Sequence, residues 1–133
     1  MIRLPVSTLL LTELLAWRRG DRERMRIVGP SMAPTLTEDE HVLVDATRLP
    51  VLGELAAARP EELDGLQVVK RVSHRTDDGG YWLVSDNAAA GTASEVWGAV
   101  PADRIDGVVT VNLSRRKVLV EPQDRGRWGW IRL

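Results

Sequence analysis

The hydrophobic rhythm of the chain changes at Gly20. Before it, in "STLLLTELLAW", Leu10, Leu11, Leu14, Leu15 and Trp17 or Arg18 recur at helical spacing. Ser7 or Thr8 is placed to cap the first turn and Gly20 to stop the last. This predicts one short amphipathic helix within an N-terminal appendage, residues 1–20. After Gly20 the apolar positions alternate. Met25 and Ile27 against Arg24 and Arg26 predict a half-buried strand, and "HVLVDA" (His41 to Ala46) a second. "VLGELAAA" (Val51 to Ala58) is a weaker third, ended by Arg59-Pro60. "LQVVKRVSHR" (Leu66 to Arg75) and "YWLVS" (Tyr81 to Ser85) flank Thr76-Asp77-Asp78-Gly79-Gly80, where Asp-Gly supplies the positive φ of a tight hairpin. "RIDGVVTVNL" and "KVLVE" read as a closing strand pair. Short strands with turns at regular spacing predict a mainly β core over 24–121, a curled antiparallel sheet or partial barrel. The tail, 122–133, ends in "RGRWGWIRL" and reads either as a last edge strand or as a partner-binding strip.

Composition narrows the function. A chain of 133 residues is most simply one domain that buries its own core. A net charge of −1 lacks the basic excess of nucleic-acid binders, and the clusters "WRRGDRERMR" and "LSRRK" read as solvated faces. With no cysteine there is no disulfide, cysteine nucleophile or thiolate metal site. His41 and His74 stand apart and form no zinc motif, so neither a metal nor an organic cofactor is expected. The apolar run Leu9 to Trp17 is about half the roughly 20 residues a spanning helix needs and carries Glu13 in its middle. It also lacks the marks of a secretory signal. The expectation is a cytoplasmic protein without a transmembrane anchor. The helix fits packing on its own domain or a partner better than a membrane surface, although peripheral membrane contact stays open.

The candidate chemistry lies in "IVGPSMAPTL" (Ile27 to Leu36), which sets Ser31 between Pro30 and Pro34. A serine hydroxyl needs a base, and neither histidine shows a persuasive Asp-His-Ser pattern. In "VVKRV", alternation puts Leu66, Val68, Lys70, Val72 and His74 on one strand face. Burial among aliphatics would lower the Lys70 pKa. At an ordinary pKa of about 10.4, only roughly one lysine in a thousand is neutral near pH 7.4. A fall of two to three units, ~3–4 kcal/mol of desolvation, makes a usable base. Alternation alone equally serves a lysine that snorkels from an edge strand to solvent.

The order and spacing of "GPSMAPTL", "HVLVD", "VVKRV", "WLVSDN" and "VWGAVPADRIDGVV" resemble the signal peptidase I group of Ser/Lys proteases, over about Arg26 to Val109. The short chain is most similar within it to the maturation proteases of nickel-type superoxide dismutase. The resemblance implies that group's catalytic-core fold, Ser31 as nucleophile, Lys70 as general base, and Gly29, Met32 and Pro34 as supporting motif. It implies an oxyanion donor in the Ser31 backbone N–H, with no hydroxyl at Gly29. The implied function is removal of a short N-terminal leader from a protein precursor, with any nickel belonging to that substrate. The chain departs from the family pattern after Ser85-Asp86-Asn87. Gly91 stands where the lysine-orienting serine is expected, and Ala93 and Glu95 replace an Asp/Arg pair. Thr92 or Ser94 is then the candidate to orient the lysine after a one-residue shift, or a water does. Asp86 and Asn87 are expected to shape a turn through side-chain bonds. The departures leave a rival, a degenerate fold that binds or chaperones the precursor without cutting it. A self-cleaving repressor-type Ser/Lys domain would need a DNA-binding segment and scissile loop before the serine, where only thirty residues and one short helix are expected.

Overall fold

The computed structural model describes residues 2–3, 6–120 and 130–131. Strands β1 (Ile2–Arg3) and β9 (Trp130–Ile131) pair antiparallel in a two-stranded sheet of their own. The other tail residues lie outside the described residues. Helix α1 (Val6–Arg18) begins earlier than the pattern predicts, leaving Ser7 and Thr8 within the helix rather than at its cap.

The face that α1 buries also differs from the expected one. Leu9, Glu13 and Ala16, spaced four and three apart, are buried, while Leu11, Leu15 and Trp17 are exposed. Glu13 is only 2% exposed. Its carboxylate accepts two bonds from Arg22, at 3.1 and 2.8 Å, and the same guanidinium lies 3.5 Å from Asp45. Arg48 makes two 2.8 Å bonds to buried Glu54 and lies 3.9 Å from Asp45. Hence the charge that seemed to interrupt the apolar run is what seats the helix. The arginine of "WRRGDRERMR" that was assigned to a solvated face is its partner.

The main sheet contains β2 (Glu23–Arg26), β3 (His41–Asp45), β4 (Leu55–Ala58), β5 (Val68–Arg75), β6 (Tyr81–Val84), β7 (Ile105–Asn112) and β8 (Lys117–Val118). Its order is β2-β3-β7-β4-β5-β6, with β8 also on β7, and every pairing is antiparallel. The sheet curls without closing, as expected of a partial barrel. Strand β4, the weakest by propensity, is central and wholly buried. Ala57 belongs to one core layer, with Val42, Val44, Leu55 and Val109. Ala56 and Ala58 belong to the other, with Val72, Tyr81, Leu83 and Ile105. Both faces are covered, so small side chains fit where β-branched ones would overfill the space.

Two irregularities position the site. The β5–β6 register shifts between Val72 and His74, which ends the predicted Lys70 face early. His74 is exposed and stacks on Trp82, ring centroids 5.7 Å apart. Strand β6 pairs with β5 only from Arg71 onward, so Val68–Lys70 has a strand partner only in β4. Among the described residues, strand β2 likewise has only β3 beside it. Two unpaired strand edges thus border one cleft. No helix among the described residues is long and apolar enough to cross a membrane.

Removing Arg22 would strand Glu13 as an uncompensated buried charge and leave Asp45 with Arg48 alone, 3.9 Å away. Arg22→Met is expected to lower unfolding free energy by ~3–5 kcal/mol. Arg19→Ala, which breaks an exposed pair with Asp21, should change it by less than about 1 kcal/mol. Urea denaturation of both variants at pH 7 checks the contrast.

Candidate active site

Ser31 lies in a loop that leaves β2 and returns to β3. The base of this loop is tied by Ile27 N–H to Glu40 C=O and Asp39 N–H to Ile27 C=O, each 2.8 Å. Met32 and Leu36, 2% and 0% exposed, drop into the core and are joined by a 2.9 Å backbone bond. Gly29, at φ +84°, bends the chain in a conformation that a side chain would resist, and its N–H meets Glu38 at 3.4 Å. On the far side, Arg115 donates to Pro34 C=O at 2.9 Å and to Glu40 at 2.6 Å. One arginine of "LSRRK", read from the sequence as a solvated face, therefore holds the Ser31 loop.

The second clamp comes from the segment after β6. Asn87 N–H donates to Ser31 C=O at 2.9 Å, and its amide nitrogen to Pro30 C=O at 3.2 Å. Asp86 N–H approaches the Met32 sulfur at 3.4 Å, and Thr35 Oγ1 donates to the Asp86 carboxylate at 2.5 Å. That carboxylate also takes two 2.7 Å bonds from Arg71. Asp86 and Asn87, expected to shape their own turn, instead reach across to the Ser31 loop.

Lys70 is 4% exposed, and its strand pairing places it opposite Ala56. Burial pushes its pKa below the ordinary lysine value, while Glu95 pulls partly against that shift. Nζ donates to Ser85 Oγ at 2.9 Å. The structure does not bring Thr92 or Ser94 to this amine. Thr92 is exposed, and the buried Ser94 hydroxyl accepts the Leu83 N–H at 2.9 Å. Ala93 is buried, and the Glu95 carboxylate accepts the Ala93 N–H at 3.0 Å. Gly91 does point into the site. A Cβ on it would overlap the Ser31 Cβ and stand 3.0 Å from Ser85 Oγ and 3.3 Å from Lys70 Nζ. Ser31, Lys70 and Ser85 therefore converge on one small volume. Sequence reasoning missed Ser85 because it sought the orienting hydroxyl at 91–94. The available signal was Ser85 itself, a serine that ends "YWLVS", the hairpin strand following the one that carries Lys70.

Ser31 and Lys70 both line a cleft of about 300 Å³ between Met25–Val28 and Leu66–Val69. No hydrogen bond joins Ser31 Oγ to Nζ among the described residues. Such bonds are often long before substrate binds. No described residue accepts from the Ser31 backbone N–H, which leaves that donor available to an oxyanion. His41 and His74 are not part of the cleft, and the described residues contain no cluster of metal-ligating side chains.

Two pH effects follow from these environments. Keeping Lys70 protonated inside the protein costs free energy in full below its folded pKa, and that cost fades as pH rises toward about 10.4. Lys70→Met should gain most over the parent near pH 5, and the advantage should shrink toward pH 10, read by urea denaturation. Glu40 behaves oppositely. Burial works against its ionisation, but bonds from the Thr37 N–H, Arg115, the Thr37 hydroxyl and Asn112 outweigh it and hold the pKa at about 2. Its contribution is present above the ordinary value of 4.5 and is lost as pH falls through about 2. Glu40→Gln should be destabilised at pH 7, with the difference gone near pH 2.

The family profile described as Peptidase S24-like matches residues 13–95. That span covers more than half of the chain and includes Ser31, Lys70 and Ser85. No curated protein matches the chain. The match supports a serine-peptidase-like fold, in keeping with the open antiparallel sheet and the loop that carries Ser31. The chain belongs to the Peptidase S24-like family.

Proposed function

We propose that this chain is an endopeptidase of the Ser/Lys type, with Ser31 as nucleophile and Lys70 as general base. The observation that carries the reading is a lysine amine, 4% exposed, opening on the same cleft as a serine whose loop is tied down on both sides. Neutral Nζ takes the Ser31 proton while Oγ attacks the scissile carbonyl carbon. The tetrahedral oxyanion faces the Ser31 N–H. Its collapse breaks the C–N bond, and the Lys70 ammonium protonates the departing amine. Water, deprotonated by the same amine, then hydrolyses the acyl-enzyme.

The two unpaired edges, β2 and Val68–Lys70, suit a substrate segment that adds as an extended strand. The cleft between them is largely apolar, lined by Met25, Ile27, Val28, Leu66 and Val69, and favours small aliphatic side chains. The motifs' similarity to maturation proteases points to the leader of a nickel-type superoxide dismutase precursor, cut in the cytoplasm before export.

The test is the intact mass of such a precursor after mixing with the protein. The parent should release one defined N-terminal fragment. Ser31→Ala and Lys70→Ala should each slow that release by on the order of 10³-fold or more. Binding without cutting would favour the non-catalytic rival, and cutting that persists in both variants would sink the assignment of these two residues.

A further inference from the structure

We infer that Ser85 is the residue that positions Lys70, and that Gly91 is its steric complement. The inference rests on the Ser/Lys reading of the site. A lysine amine ends in a three-fold rotor, and buried Nζ can aim its lone pair at Ser31 only if something stops the rotation. Ser85 Oγ, 2.9 Å away, accepts one N–H and leaves the remaining tetrahedral directions of Nζ to the cleft. The bond survives proton transfer, because the same oxygen also accepts from the ammonium. Ser85 is not among the residues lining the cleft, so it acts through Lys70 rather than on substrate.

Gly91 shows why this hydroxyl stands alone. A Cβ at 91 would overlap the Ser31 Cβ and press on the Ser85–Lys70 pair, 3.0 Å from Oγ and 3.3 Å from Nζ. With Ser31, Lys70 and Ser85 in place there is therefore no room for a side chain at 91. Ser85 is itself held in place, since Asp86, next in the chain, is gripped by Arg71 and Thr35. Glu95 on α2 (Ser94–Trp97) is the charged group that bears on Lys70; the Arg71–Asp86 pair is mutually compensated.

The chain has two lysines, Lys70 and Lys117, so ¹³Cε-lysine labelling gives one resonance for the site and one exposed reference. Ser85→Ala should lower kcat of precursor cleavage by about 10–100-fold with KM little changed, and Ser85→Thr, which keeps the oxygen, should recover most of it. Without its acceptor the ammonium is less stable. In Ser85→Ala the Lys70 resonance should therefore titrate at lower pH than in the parent, and the acid limb of the pH–rate profile should move the same way. A merely structural role predicts the reverse, because loosened packing admits water and returns Lys70 toward the ordinary lysine value. Full kcat in Ser85→Ala, or a Lys70 titration that is unchanged or raised, would overturn the inference. The NMR titration needs no cleavage, so an inactive parent would sink the peptidase reading and still leave Ser85 to be decided.

Discussion

The ion pair between Arg71 and Asp86 is the contact on which the site depends. Its two bonds of 2.7 Å join β5 to the segment after β6, and Thr35 adds the Ser31 loop to the same carboxylate. Burial works against ionisation of Asp86, but Arg71 and Thr35 outweigh it and hold the carboxyl below its ordinary range. The Asp86 bond in turn keeps Arg71 charged. Each partner follows a residue of the site: Lys70 precedes Arg71, and Ser85 precedes Asp86. Locking one pair therefore sets the spacing of the other. The bidentate geometry supplies direction as well as attraction, which a lysine amine alone could not.

A second constraint follows from the first. Lys70 is an amine stripped of water, and its charged form destabilises the fold that surrounds it. The surrounding structure offsets this with paired charges. Arg22 and Arg48 neutralise Glu13, Asp45 and Glu54 beneath α1, while Glu40 and Arg115 tie down the far end of the Ser31 loop. Every one of these buried or half-buried charges has a partner, whereas Lys70 has a hydroxyl. That asymmetry sets Lys70 apart from the paired structural ions of the fold.

Much of this was legible in the chain. The strands follow the alternation, the hairpin follows Asp-Gly, and Ser31 and Lys70 stand out because their surroundings are unusual for a loop and a strand. The misreadings share one cause. Arg22 and Arg115 looked solvent-facing because charge is usually exposed, and Glu13 looked like a break in an apolar run; a charged partner in another segment explains each placement. Asp86 and Asn87 looked like local turn formers because their side chains often bond nearby backbone. Here Thr35 and Pro30, more than fifty residues away in the Ser31 loop, and Arg71, on a neighbouring strand, are their partners.

Local periodicity and turn chemistry act over a few residues, so the sequence by itself determined the element types, the open antiparallel character of the core and a lysine flanked by aliphatics. Tertiary structure decided which hydroxyl meets that lysine. Ser85, Thr92 and Ser94 are chemically equivalent candidates along the chain. The choice among them is made by a backbone bond that occupies Ser94, by the exposure of Thr92, and by the space left empty at Gly91. Such choices depend on distances between segments, and no local pattern encodes a distance.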